Sequence, residues 1–219
     1  MNKIKKGLGR GLSSLIGETK VEQATNKLSI SDLYPNKFQP RKIFDEENLI
    51  NKTVEDLSQG HAIGWFQGRM EFGPRALGSR SILGDPRSDK MQKNLNLKVK
   101  FRESFRPFAP SILREDVSKY FDCDYDVPYM NMSVQVKDPL ALTAVTHVDN
   151  TCRIQTVDGD GHFARLLRKY KEMTGESVIL NTSLNIGGSP IASRIWEAKE
   201  LFSKKGIQDM AIGNNFYDK

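Results

Sequence analysis

The chain has 219 residues, a hydrophobic fraction of 38% and a formal net charge of +6. This length suits one domain with an appendage, and the apolar fraction suffices for a buried core. No apolar run approaches the roughly 20 residues that a membrane span needs, and the basic N-terminus lacks the apolar segment of a secretory signal. Cys123 and Cys152 form no CxxC motif, which argues against a disulfide framework or a zinc site and favours a cytosolic protein.

The positive charge is concentrated at the N-terminus. Residues 1–42 contain nine Lys or Arg and three Asp or Glu, whereas residues 43–219 contain 24 of each kind. The pI of about 9.2 is therefore a property of the N-terminal segment. The neutral remainder does not favour a nucleic-acid partner.

The first 50 residues are rich in glycine and polar residues. The frequent glycines of residues 7–17 disfavour a helix, so we expect a largely disordered basic tail. Residues 27–30 predict a short strand with Leu28 and Ile30 on one face. Pro35 and Pro40 bracket a loop beyond it.

Two stretches of this tail, Gly7-Leu8-Gly9-Arg10-Gly11-Leu12 and residues 33–41, resemble the N-terminus of the ParB chromosome-partition proteins. In that family the basic tail contacts a ParA-like ATPase, which the resemblance implies as a partner. The resemblance ends near Asn48, without the nucleotide motif or the helix-turn-helix that the family carries. We therefore predict a ParB-like tail over residues 1–50 and a separate domain over residues 54–219, joined by a natural fusion or by an artefact of the gene.

The next part of the chain alternates short helices and strands. Residues 54–60 predict the end of a helix capped by Gly60, and residues 62–66 predict an apolar strand. Residues 69–80 form an arginine-bearing turn. Further along, the pattern predicts a helix over 89–97, an extended segment over 108–113 and a helical turn over 115–121.

The C-terminal third predicts a mixed set of elements. Residues 144–148 and 153–157 have the pattern of two strands joined as a hairpin. His147 lies within it, and we interpret it as a structural histidine rather than a base or a metal ligand. Residues 163–173 predict an amphipathic helix that ends at Gly175. A buried strand over 177–180, a helix over 197–204 and a strand over 210–213 follow.

Two turns carry the cations that we expect to bind a ligand. Gly73, Pro74 and Gly78 restrict the backbone around Arg75 and Arg80, and Lys100 and Arg106 follow about 20 residues later. Arginine captures phosphate or carboxylate in planar, bidentate geometry, and lysine adds a point charge. Such cations beside bulky phenylalanines need a neutralising partner, so a small, highly charged anion is the natural ligand, although a solvated basic face over core phenylalanines is the alternative.

Three polar residues continue the strand that begins at residue 177. Asn181, Thr182 and Ser183 stand where α/β sheets place ligands, and their side chains can bind phosphate oxygens without adding charge. The same residue types also favour turns and helix caps. Arg87 could be a fourth ligand, but we interpret it as a surface or structural charge.

Several long sequence motifs, in the same order as in a known family, carry a second resemblance, which extends from Val54 to the C-terminus. They include residues 64–78, residues 101–110, Thr146-His147-Val148-Asp149 and Asn181-Thr182-Ser183-Leu184-Asn185. This part of the chain resembles the C-terminal domain of the O-carbamoyltransferases that modify antibiotics and nodulation factors. The resemblance implies an α/β fold of the YrdC type, a twisted mixed sheet with flanking helices. Ser189 stands where the family usually has Glu.

The resemblance also implies a chemistry for the cations. It implies that the domain binds carbamoyl phosphate and ATP, with Mg²⁺, and forms carbamoyl-adenylate. It implies catalytic roles for Arg80, Lys100 and Arg106. It also implies that the substrate is bound by Arg75, Arg80, Lys100, Arg106, Asn181, Thr182 and Ser183. The full enzymes of the family carry a further ATPase-like domain that transfers the carbamoyl group to a hydroxyl, so this chain would need such a domain as a partner.

Two other functions stay open on the sequence alone. A ParB-like partition adaptor would make the tail the functional part, but the chain lacks a DNA-reading module. A threonylcarbamoyl-adenylate synthase of the YrdC type would share the fold. The Gly-Pro-Arg-Ala-Leu-Gly motif of residues 73–78 favours the O-carbamoyltransferases over such a synthase.

Overall fold

The computed structural model describes residues 42–43, 45–203 and 206–219. The predictions made for residues 1–41, including the strand over 27–30 and the disordered tail, lie outside the described residues. None of the described helices is long and apolar enough to cross a membrane.

In the described part of the chain, ten strands form one large and one small sheet. They are β1 (Lys42–Ile43), β2 (Ile63–Phe66), β3 (Arg80–Gly84), β4 (Ala109–Leu113), β5 (Ser133–Gln135), β6 (Thr151–Arg153), β7 (Gln155–Val157), β8 (Val178–Ser183), β9 (Asp209–Ile212) and β10 (Asn215–Tyr217). The large sheet has eight strands in the order β1-β10-β9-β2-β3-β8-β4-β7, and β5 pairs with β6. The β2–β9 and β4–β7 pairs are parallel and the others antiparallel, so the sheet is mixed.

The residues that the structure describes also form five α-helices: α1 (Glu46–Ser58), α2 (Asp89–Leu95), α3 (Val117–Tyr120), α4 (His162–Thr174) and α5 (Ile195–Ser203). A π-helical turn, Asn96–Lys100, continues α2, and a 3₁₀ turn, Arg114–Asp116, precedes α3. Asp45 caps the start of α1 by accepting from the Asn48 amide at 2.8 Å, and α4 ends at Gly175 with φ of 78°, as the sequence predicts.

The sheet is covered on both faces, because successive strand residues point to opposite sides. Trp65 packs with α1 and α4 residues in one core, and the neighbouring Phe66 belongs to a second core with residues of α2 and α5. Leu83 and Ile82 divide between the two cores in the same way. The predicted α/β fold, a mixed sheet with flanking helices, is therefore confirmed.

The first helix is longer than its sequence signal indicates. The prediction covers only the last turn, whereas α1 begins at Glu46. Leu49, Ile50, Val54 and Leu57 are all buried in one core, which extends the amphipathic face towards the N-terminus. The predicted boundary between residues 50 and 54 thus lies inside α1.

The predicted hairpin of residues 144–148 and 153–157 is wrong. Residues 144–148 form turns, in which the Asn150 amide donates to the His147 carbonyl at 3.0 Å. Thr151–Arg153 pairs with β5, and Gln155–Val157 pairs in parallel with β4. The buried Ile154 separates β6 from β7, so the apparent second strand is shared between two sheets.

Candidate anion-binding site

A cavity of about 670 Å³ opens at one end of the large sheet. The loop between β2 and β3, the segment that follows α2, the end of β6 and the end of β8 all contribute to its wall. Five of the described lining residues are cationic and none of them is acidic; the cations are Arg75, Lys100, Arg102, Arg106 and Arg153. Such a wall concentrates positive potential on whatever enters.

The loop that carries Arg75 is held by one carboxylate. Glu71 Oε1 accepts hydrogen bonds from the Leu77 amide at 2.8 Å, the Ser79 amide at 2.7 Å and the Arg80 amide at 3.2 Å. Three amides converging on one oxygen close residues 71–80 into a fixed turn. Arg75 projects from the exposed part of that turn and lines the cavity.

Arg80 has a different place from the one that the resemblance implies. Its side chain is buried, and its guanidinium donates to the carbonyls of Gln67 at 2.9 Å and Gly68 at 3.1 Å. The guanidinium carbon lies 3.5 Å from the centre of the Phe66 ring. Arg80 does not line the cavity, so in this structure it braces the base of the Arg75 loop.

Lys100 is the buried cation of the cavity. Its Nζ donates to the Ser183 carbonyl at 2.5 Å, the Asn185 carbonyl at 3.0 Å and Asn185 Oδ1 at 2.8 Å. Burial, with a smaller contribution from the nearby Arg102 charge, lowers the pKa of Lys100 to about 7. The backbone carbonyl of Lys100 lies so close to Gly187 that any side chain there would collide with it.

Asn96 shapes the loop that carries Arg102 and Arg106. It is fully buried, and its Nδ2 donates to the carbonyls of Ser104 at 3.1 Å and Arg106 at 2.7 Å. Its Oδ1 accepts from Arg102 Nε at 2.6 Å. The Arg102 guanidinium lies 4.8 Å from the centre of the Phe108 ring, so the side chain is fixed on both sides.

The arginines of the cavity repel one another. Burial lowers the pKa of Arg102, and Arg106 lowers it further; burial and Arg75 do the same to the pKa of Arg153. Among the described residues, the acid paired with this group is Glu103, whose Oε2 lies 3.9 Å from Arg106 Nε on an exposed surface. Unneutralised cations on one wall are relieved by an anion, which is the ligand that the geometry favours.

Most of the predicted ligand-binding residues meet in this cavity. Arg75, Lys100, Arg106, Asn181, Thr182 and Ser183 all line it. Thr182 and Ser183 belong to β8, which extends beyond the predicted end at residue 180 and pairs with β3. Arg87 is absent from the lining, and its guanidinium forms two hydrogen bonds with Asp85 at 2.9 and 2.8 Å.

Four polar residues of the wall were not predicted as ligands from the sequence: Arg102, Arg153, His147 and Asn185, whose Oδ1 accepts from Lys100 Nζ. Arg102 lies between Lys100 and Arg106 in the sequence, and this position was a usable signal. Arg153 was assigned only to a strand, and its proximity to Arg75 depends on the pairing of β6. His147 was interpreted as structural; it does contact Thr151 Oγ1 at 3.3 Å through Nδ1, but it also lines the cavity.

A second polar cluster lies away from the cavity. Asp56, His61 and Asp209 bring their ligand-type atoms within 4.8 Å of one another. Lys52 pairs with Asp56 at 2.8 Å, and His61 Nδ1 lies 2.7 Å from Asp209 Oδ2. Because each carboxylate already has a partner, we assign the cluster to holding α1 against β9.

Comparison with known proteins identifies relatives for most of the chain. Residues 54–219 match the family model described as carbamoyltransferase C-terminus. The nodulation protein NolNO of Sinorhizobium fredii is 39% identical over 180 residues, which cover 79% of this chain and 26% of that protein. The 3'-hydroxymethylcephem-O-carbamoyltransferase of Amycolatopsis lactamdurans is 39% identical over 165 residues, covering 74% of this chain and 32% of the enzyme.

A solved structure shares the fold. Full-length HypF in its phosphate- and nucleotide-bound form superposes with a TM-score of 0.50 at 18% identity, over 74% of this chain and 20% of HypF. The present chain thus spans about a third or less of the length of the proteins that it matches.

Proposed function

Because the chain belongs to the carbamoyltransferase C-terminus family, we propose that its cationic cavity binds carbamoyl phosphate and ATP and forms carbamoyl-adenylate. The observation that carries this proposal is the wall of five cationic side chains without a lining acid. Its volume of about 670 Å³ lies within the range of small-molecule sites.

The proposed reaction builds negative charge on oxygen twice. Water cleaves carbamoyl phosphate into carbamate and phosphate, and a carbamate oxygen then attacks the α-phosphorus of ATP and expels pyrophosphate. Fixed cations stabilise both transition states without covalent participation of the protein. Lys100 and Arg102 suit this work because Asn185 and Asn96 hold their positively charged groups in place.

The wall does not fit a protein-bound Mg²⁺ ion. Mg²⁺ prefers carboxylate oxygens and keeps several waters, whereas the described lining residues include no carboxylate and several guanidinium groups. Mg²⁺ would therefore enter only on the phosphates of ATP. The steps above assign the protein's part to the arginines and Lys100.

We propose that transfer of the carbamoyl group to a hydroxyl acceptor needs more than the part of the relatives that this chain matches. The two relatives named above extend well beyond the matched region. We propose that an ATPase-like domain, on the same or another chain, orients the acceptor. Without that orientation the transfer loses the advantage of proximity, which reaches about 7–11 kcal/mol.

Binding measurements on matched variants test the proposal. Titration calorimetry of the full chain with carbamoyl phosphate should show binding, and Arg106→Ala or Lys100→Ala should weaken it by about 1.5–3 kcal/mol, the value of a charge-assisted contact. Arg168→Ala is the control, since Arg168, on α4, pairs with Asp160 and does not line the cavity. Unchanged affinity in both cavity variants would refute the assignment.

A further inference from the structure

One buried acceptor, in a residue that lines the cavity, has no hydrogen-bond donor. Asn181 in β8 is 1% exposed and lines the cavity. Its Oδ1 is buried without a hydrogen-bond partner. Buried polar atoms are almost always paired, so an unpaired one on a cavity wall calls for an explanation.

The neighbours of Asn181 fix which end of its amide is unpaired. Nδ2 lies 3.2 Å from the Ala76 carbonyl, an atom that can only accept. The same Nδ2 donates to Ser111 Oγ at 3.0 Å and to Gln155 Oε1 at 3.1 Å. Gln155 is fixed in turn, because its Nε2 donates to the Leu77 carbonyl at 2.9 Å. A flipped Asn181 amide would set its oxygen against two acceptors, so Oδ1 is the atom that lacks a partner.

The rest of the wall offers mainly donors to a ligand. Arginine and protonated lysine side chains have no acceptor atoms, so in their charged forms these five side chains bind phosphate oxygens but cannot recognise an N–H group. Such a wall alone would accept any acyl phosphate of similar size. An acceptor without a donor adds a requirement that only some of these ligands meet.

Carbamoyl phosphate meets that requirement. As a dianion it carries hydrogen-bond donors only on its amide nitrogen. Resting on the proposed function, we propose that Asn181 Oδ1 accepts an N–H from the carbamoyl group, and that this contact makes the cavity select carbamoyl phosphate over acyl phosphates with a methyl group in place of the amide. A site built around such a hydrogen bond rejects the analogue because its own polar atom stays unpaired.

A pair of ligands tests the selection on the unmodified full chain. Calorimetry at low temperature compares carbamoyl phosphate with acetyl phosphate. The hydrolytically stable pair phosphonoacetamide and acetonylphosphonate repeats the comparison, since these two differ only in NH₂ against CH₃. We expect the amide to bind at least about tenfold more tightly in each pair.

Two variants then assign the selection to one residue. Asn181→Leu removes the acceptor at similar volume, and the affinities for the two ligands of each pair should converge to within about twofold. Arg106→Ala is the matched control, because loss of a phosphate contact should weaken both ligands and keep their ratio. If Asn181→Leu does not fold, the ligand pairs on the unmodified chain still decide whether selection exists.

The outcomes separate this inference from the proposed function. Equal affinity of the unmodified chain for amide and methyl ligands would overturn the selection and leave the anion site intact. Absence of binding by carbamoyl phosphate and phosphonoacetamide would overturn both. If Asn181→Leu still binds the amide ligand of each pair more tightly, the role of Asn181 is overturned. The selection then belongs to another acceptor of the wall, such as His147.

Discussion

Lys100 ties the electrostatics of the cavity to pH. With a pKa of about 7 in the unoccupied protein, Lys100 is largely neutral at pH 8, while an anion favours its protonated form. Binding of carbamoyl phosphate at pH 8 should therefore take up a proton at Lys100, and affinity should fall as pH rises above about 7. The contacts of Nζ with the Ser183 and Asn185 oxygens oppose this effect by favouring the charged form.

Calorimetry in buffers of different ionisation enthalpy measures that proton. The matched control is Lys100→Arg, whose guanidinium stays charged throughout, so its uptake at pH 8 should vanish. Both proteins should take up none near pH 5.5, where Lys100 is already protonated. No uptake at pH 8 in the unmodified chain would mean that the contacts of Nζ keep Lys100 charged.

At this scale the sequence predicts residues better than it predicts their roles. Arg75, Lys100 and Arg106 line the cavity, as the sequence predicts. Turns bounded by glycine and proline indicate arginine side chains that are held in fixed positions. Arg80 lies in the same turn as Arg75, yet its guanidinium donates to backbone carbonyls. The sequence does not distinguish these uses, since a guanidinium can donate to carbonyl oxygens as well as to phosphate oxygens.

Among the elements, the turn of residues 71–80 depends on a single carboxylate oxygen. Glu71→Ala would leave the Leu77, Ser79 and Arg80 amides without their acceptor. We expect a loss of about 1–3 kcal/mol in the free energy of unfolding, together with weaker binding of carbamoyl phosphate because Arg75 loses its support. Glu71→Gln keeps a carbonyl oxygen at the same position and should retain most of both.

Urea unfolding and calorimetry of the two variants check this role. A Glu71→Ala protein that matches the unmodified chain in both measurements would show that the turn holds itself. A Glu71→Gln protein as impaired as Glu71→Ala would point instead to the charge of Glu71, which lies near Arg80.

The elements that the sequence predicts well are those set by local signals. Helix α4 and its glycine end are read directly from the 3.6-residue pattern and from Gly175. The partners of β6 and β7 cannot be read from the sequence in this way, because β6 pairs with β5 and β7 pairs with β4, both elsewhere in the chain. The unpaired Oδ1 of Asn181 also lies beyond sequence reasoning, since its environment comes from Ala76, Ser111 and Gln155.

On the scale of the whole molecule, both hydrophobic cores of the described residues lie between Leu49 and Phe216. Residues 1–41 add basic charge and little apolar area. Removing them should therefore leave the thermal midpoint of unfolding nearly unchanged and lower the isoelectric point. Differential scanning calorimetry and isoelectric focusing of the shortened chain check this. A marked fall in the midpoint would show that the segment packs on the domain.

The most direct test of the account is carbamoyl-phosphate-dependent release of pyrophosphate from ATP by the full chain. We predict formation of phosphate, pyrophosphate and carbamoyl-adenylate, with little carbamoylated product when a hydroxyl acceptor is added, because on our proposal a separate ATPase-like domain orients the acceptor. Arg106→Ala should depress the release and the control Arg168→Ala should not. No pyrophosphate above the background without carbamoyl phosphate, from a folded chain, would contradict the proposed activation.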